Sequence, residues 1–155
     1  MRVRLRTTLR RLRDDSGTNL VEAALIVPLA LFLTFAIAEF GMIFHAYLAL
    51  ENGVSEATRY GITGVQLPNL SHEDSIKVAM RQATPTLTLN DNQFTFSHLA
   101  VGGNTWLGGA GGPGEIEKVQ VDYTWTIVTP LLRPLFSGGL IHLKVDSAMK
   151  NERFN

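Results

Sequence analysis

Residues 18–50 read TNLVEAALIVPLALFLTFAIAEFGMIFHAYLAL, a stretch of 33 residues with only two charges, Glu22 and Glu39. Inside it Ala23–Ala38 is uncharged throughout, and Thr34 is its one polar side chain. Phe40–Leu50 adds a further uncharged segment. A transmembrane helix needs about 20 mostly apolar residues, within a usual range of roughly 17–25. The run from Ala23 reaches that length if Glu39 sits at the far interface or pairs with a partner.

The charges upstream set a direction. Residues 1–17 hold six Arg (Arg2, Arg4, Arg6, Arg10, Arg11 and Arg13) against Asp14 and Asp15, a sum of +4. The remaining residues sum to −4, so the formal net charge of zero is an average over two unlike segments. Arg on the N-terminal side of a span predicts that this side stays in the cytoplasm. The C-terminal residues are then expected outside it. The chain has 155 residues, enough for one domain with little room for two. It has no Cys, which excludes disulfides, Cys-ligated metal sites and a thiol nucleophile.

A basic segment followed by an apolar run and a polar remainder has three readings. One is an uncleaved single-span anchor carrying an extracytoplasmic scaffold or sensor domain. A second is a secretory signal peptide, for which Ala36-Ile37-Ala38 supplies the small-x-small site, with a soluble domain released after Ala38. The third is a prepilin-type leader, cut before the apolar run so that the apolar helix is retained. Glu22 interrupts the transition that a signal peptide needs. A cut after Ala38 would also expose Phe40, Met42, Ile43 and Phe44 at a new N-terminus.

The third reading rests on Gly17-Thr18-Asn19-Leu20-Val21-Glu22, a Gly followed five residues later by a carboxylate. With Pro28 early in the helix, Glu39-Phe40-Gly41, Glu56-Ala57-Thr58-Arg59-Tyr60-Gly61 and the tail 146–152, the chain resembles the TadE-like family of pseudopilins. The resemblance covers residues 11–62 well and 140–152 in part. It implies a minor pilin-like structural subunit of a Tad or Flp-type, type IV-like pilus or secretion apparatus. It also implies maturation by a prepilin peptidase between Gly17 and Thr18. The implied partners are that peptidase, other pilin-like subunits, pilus assembly proteins and the bacterial cytoplasmic membrane, with no nucleic acid. The side-chain charge left after such a cut is −4.

Three further residues carry physical expectations. A carboxylate at the bilayer centre costs about 2.5–3.5 kcal/mol on insertion scales, and less near the interface. Glu22 therefore either pairs with the Thr18 ammonium of a neighbouring subunit or rests at headgroup level against water and helix N–H groups. Pro28 removes an N–H and crowds the carbonyl of Ala24, so the helix either bends there or tolerates the proline, as membrane helices do. Glu39 lies about 25 Å of helix beyond Glu22. It reads as an outer interface marker, with a subunit contact as the alternative.

Beyond the span, the helix is expected to continue to about Gly61, with Gly61 and Gly64 as the stop. Val54, Ala57, Thr58 and Ile62 form the face that a domain would cover. Ser71 with Glu73 and Asp74 predicts a short helix ended by Pro85. Gln93–Val101, Ile116–Val128 and Ile141–Val145 alternate like strands, with Val119, Val121, Tyr123, Trp125 and Ile127 on one side. Residues 102–114 hold seven Gly and read as a flexible hairpin loop. They lack the Lys-Ser/Thr and the following helix that a phosphate loop needs. His45, His72, His98 and His142 show no metal-ligand spacing, and Asp91 and Asp146 have no catalytic partner in a recognisable motif. No metal, cofactor or enzymatic activity is expected. The fold expected is α+β and pilin-like. It comprises a leader at 1–17, a transmembrane and stem helix at 18–62, and an extracytoplasmic domain at 63–155 with a small antiparallel sheet packed on the stem.

Overall fold

A computed structural model describes residues 15–153 of the chain. Arg2 to Arg13 of the basic leader lie outside the described residues. The chain divides into two compact units, Met1–Glu39 and Phe40–Asn155. The first helix, α1 (Asp15–Gly61), contributes to both.

In the first unit every side chain from Gly17 to Leu31 is exposed, and Phe32 and Ala36 are half-buried. Leu20, Leu25 and Ile37 each leave more than 70% of their surface uncovered. A helix that is apolar all round is a membrane or deep-core element. No residue of its most apolar window is buried within the chain, which leaves the membrane as its solvent. Residues 17–39 rise roughly 35 Å, enough to cross a hydrocarbon core of about 30 Å. The helix passes through Pro28 without interruption. The hydroxyl of Thr34 donates to the carbonyl of Ala30 at 2.8 Å, which removes its polar burden in lipid.

The second unit is built on a change of pattern within the same helix. Ala46, Leu50, Val54 and Ala57 recur at three- and four-residue steps, and all are buried. Against them pack Ile76 and Met80 of α2 (His72–Ala83). The start of α2 is the expected one: Ser71 is its N-cap, and its hydroxyl accepts from the Asp74 amide at 3.1 Å. The helix stops at Ala83, before Pro85, with Thr84 as its C-cap.

The four strands are β1 (Phe94–Leu99), β2 (Trp106–Gly108), β3 (Ile116–Thr126) and β4 (Leu140–Lys150). They form one antiparallel sheet in the order β2-β1-β3-β4. Val121 faces Phe94 on one side and Val145 on the other. One face of the sheet supplies Phe96, Val119, Val121, Leu143 and Val145 to the core. The α+β class, the long apolar helix and the small antiparallel sheet are as the sequence predicts.

Two local expectations are corrected. The glycine-rich stretch is not a free hairpin loop, because β2 lies inside it and pairs Leu107 with His98. The third strand segment is not confined to Ile141–Val145. It extends to Lys150, so most of the C-terminal tail is the last half of β4.

Candidate functional site

Gly17, Thr18 and Glu22 lie in the first turns of α1, and all three are exposed. Thr18 and Glu22 are four residues apart and share one helix face. Among the described residues, and apart from its chain neighbours and the helix's own backbone, nothing comes within 4 Å of the point where a Cβ would stand on Gly17. The peptide bond between Gly17 and Thr18 is helical, so a peptidase that reads an extended strand must first unwind this turn. That unwinding is cheap at a helix N-terminus, where the first four amides have no intrahelical partner. Pro28 and Glu39 lie farther along the same helix and are not gathered with Glu22. Among the described residues of the first unit, Glu39 is the one buried side chain, 1% exposed, and it does not lack a partner. Partnering is the condition under which a buried carboxylate is tolerated.

A second polar cluster lies wholly within the second unit, where the end of α1, the sheet and the glycine-rich segment meet. α1 closes with the Ile62 amide on the Thr58 carbonyl at 3.0 Å. The tail then ties back to this end, the Glu152 amide donating to the Ile62 carbonyl at 2.9 Å. One residue earlier, the Asn151 side chain is 3% exposed. Its amide donates to the carbonyls of Ala110 at 3.3 Å and Gly112 at 3.0 Å. Its backbone N–H reaches the Glu115 carbonyl at 2.7 Å. The Glu115 carboxylate accepts from the Gly112 amide at 2.7 Å. His98 Nδ1 lies 3.1 Å from the Gly109 carbonyl, which makes Nδ1 the protonated nitrogen. Residues 109–112 are thus strapped down from three sides. A side chain at Gly111 would meet the His98 Cβ at 2.6 Å, and its φ of +74° lies in the region that favours glycine.

Glu117 stands in the middle of this region. It is fully buried on β3, and neither carboxylate oxygen has a hydrogen-bond partner among the described residues. Gly61 of α1 packs directly on it: a Cβ there would lie 2.7 Å and 2.8 Å from its two oxygens. Burial, with a smaller contribution from the like charge of Glu73, pushes its carboxyl up to about 7 from an ordinary 4.5. Elsewhere Lys77 and the Ser71 hydroxyl hold Asp74 below the usual range, and Arg81 does the same for Asp91. Both of those are surface helix-end and loop pairings. Among the described residues, no three His, Asp or Glu side chains converge as a metal ion would need.

The sequence reading missed Glu117 and Asn151. Glu117 had an available signal, because it occupies the same alternating register as Val119 and Val121. Asn151 had none, since its partners are main-chain carbonyls about forty positions away in the chain.

A single exposed apolar helix leading into a separate α+β unit defines a single-pass, membrane-anchored protein. Residues 17–59 match the model of the family described as TadE-like protein, the family that the sequence resembles. That match covers less than half of the chain, and it makes the N-terminal helix similar to that of TadE-like proteins. A search of curated proteins and one of solved structures gave no match.

Proposed function

We propose that the chain is a minor pilin-like structural subunit of a Tad-type pilus or secretion apparatus, matured by a prepilin peptidase between Gly17 and Thr18. Its work is assembly rather than catalysis. Its N-terminus lies in the cytoplasm and its second unit lies outside the bacterial inner membrane. The observation that carries this reading is the exposed apolar helix of residues 17–31, which holds Glu22 four residues after Thr18 and coincides with the TadE-like match.

The cut would create an ammonium on Thr18. Within one chain, Thr18 and Glu22 are separated by one turn of helix, about 6 Å of rise. A neighbouring subunit shifted axially by that rise brings its Thr18 ammonium level with this Glu22. Pairing there offsets the desolvation of a carboxylate in lipid and sets the stagger between subunits. Arg2 to Arg13 then serve as the positive segment that fixes orientation and is removed on maturation.

Intact mass and N-terminal sequencing of the protein from a host carrying the peptidase test the proposal. A mature N-terminus at Thr18 is expected. An N-terminus at Glu39 would identify a signal-peptidase product and overturn the pilin reading. Retention of Met1 would leave an uncleaved anchor.

A further inference from the structure

Most buried carboxylates are ion-paired or hydrogen-bonded, because the isolated charge is strongly disfavoured in a medium of low dielectric. Glu117 is neither, although it is fully buried. Its surroundings in the second unit can be followed element by element. From α1, Gly61 lies against the carboxylate, with Tyr60 beside it. From α2, Glu73 contributes a like charge, and its half-buried neighbour His72 is not without a partner. From β1, the cross-strand residue is His98, whose ring nitrogens are directed at the Gly109 carbonyl and, at 3.7 Å, at Glu115. From β4, the cross-strand residue is Met149, which carries no charge, and Asn151 follows in the same register. Just before β3, Glu115 stands two residues back in the chain, and its carboxylate accepts from the Gly112 amide. Among the described residues no Lys or Arg offsets the charge; Glu73, of the same sign, is the charge that acts on it.

The last turn of α1 is also a poor neighbour for an anion. The unbonded carbonyls of a helix C-terminus carry partial negative charge, and Glu117 meets α1 at Gly61, the final helical residue. A protonated carboxyl removes the conflict, since its O–H can donate where an ionised one can only accept. Joining here are α1, β3 and, through the bond from Glu152 to Ile62, the C-terminal tail.

We propose that Glu117 is a proton-operated latch: with its carboxyl neutral, the end of α1 closes on β3, and loss of that proton to water opens the joint. Opening separates the last turn of α1 from the sheet and releases the tail bond at Ile62. It leaves the Val54–Val119–Val145 core in place, because that core is apolar and has no proton to lose.

The test uses the full chain in lipid nanodiscs. The side-chain carboxyl of Glu117 is followed by 13C chemical shift between pH 4 and pH 9. Hydrogen exchange of the Ile62 and Glu152 amides, corrected for intrinsic rates, is followed over the same range. The expected shift midpoint is near 7. Protection of both amides is expected to fall with rising pH by up to about 300-fold, the ratio of proton affinities for midpoints of about 7 and 4.5. In E117Q, which cannot ionise, protection is expected to stay at the low-pH level. A midpoint near 4.5 would overturn the latch, as would an unchanged pH dependence in E117Q. Loss of the dependence in H98Q with Glu117 still titrating would transfer the effect to His98 and overturn it too. A midpoint that moves with added calcium chloride would make this a cation site instead. If E117Q does not fold, the carboxyl titration of the wild-type chain decides alone.

Discussion

Replacing Gly53 with Ala places a methyl group where α1 and α2 touch most closely. A Cβ there would overlap the Thr84 Cγ2 and lie 3.5 Å from two carbons of Met80. Thr84 has little freedom to turn away. It is 1% exposed, its hydroxyl donates to the Met80 carbonyl at 2.8 Å, and it is the C-cap of α2. Overpacking of a well-filled site costs about 1–3 kcal/mol, and an overlap with a side chain held this firmly belongs at the upper end, about 2–3 kcal/mol. Gly→Ala in a helix interior returns about 1 kcal/mol. Gly53→Ala should therefore destabilise the second unit by about 1–2 kcal/mol. Thr84→Ser keeps the hydroxyl and removes only the colliding methyl, at about 1 kcal/mol for the lost burial and residual cavity. Together the two changes fit each other, because the new methyl occupies the space that the old one vacates. The double variant should then be more stable than the sum of the singles by about 1–2 kcal/mol. Urea unfolding of the chain in detergent micelles, followed by tryptophan fluorescence, measures all four corners of this cycle. A Gly53→Ala chain as stable as wild type, or strict additivity in the double variant, would refute the claim that Thr84 sets the helix spacing.

Four other outcomes follow. Glu117 has a raised folded-state midpoint, so the native state keeps a proton that the unfolded chain releases above its ordinary 4.5. That contribution is full below pH 4.5 and is lost as pH rises to about 7. It amounts to at most about 3 kcal/mol, less any screening by water that reaches the carboxyl, and Glu117→Gln should flatten this part of the stability–pH curve. Asn151→Ala removes the donor to the Ala110 and Gly112 carbonyls and should cost about 1–3 kcal/mol. Faster limited proteolysis within residues 109–114 would report it. On the assembly side, Gly17→Ala should leave the precursor uncut when the peptidase is present. Glu22→Ala should still insert in the membrane but fail to co-purify with the pilus complex, and normal incorporation would remove the proposed register role.

The elements legible in the sequence were those set by local chemistry. The apolar run of residues 23–38, the Ser71 cap and the alternation through β3 each depend on neighbours within one or two turns. Elements that depend on distant partners were less visible. β2 consists of Trp106, Leu107 and Gly108 among glycines, and it is a strand because β1 offers it an edge at Ser97, His98 and Leu99. Gly53 looks like any helical glycine until Thr84 is placed against it. Glu117 breaks the usual link between polarity and exposure, so its register position outweighed its chemistry. Of the candidate positions, Gly17, Thr18, Glu22 and Pro28 were read from composition and resemblance and lie on exposed helix. The polar joint around Glu117 and Asn151 is a product of tertiary closure.

That closure has a consequence for export. The Thr58 hydroxyl of α1 meets the Ser147 carbonyl of β4 across 89 positions of chain. β4 also completes the sheet beside β3, and its tail ties to the end of α1. Closing so long a loop requires nearly all of the second unit to be on one side of the membrane. A chain still threading through a translocation channel has its helix face of Val54, Ala57 and Thr58 uncovered and its tail unbound. With the topology proposed above, the unit stays unfolded enough to pass while export is under way. Under that topology, pairing of the final strand with β3 is the last step of closure.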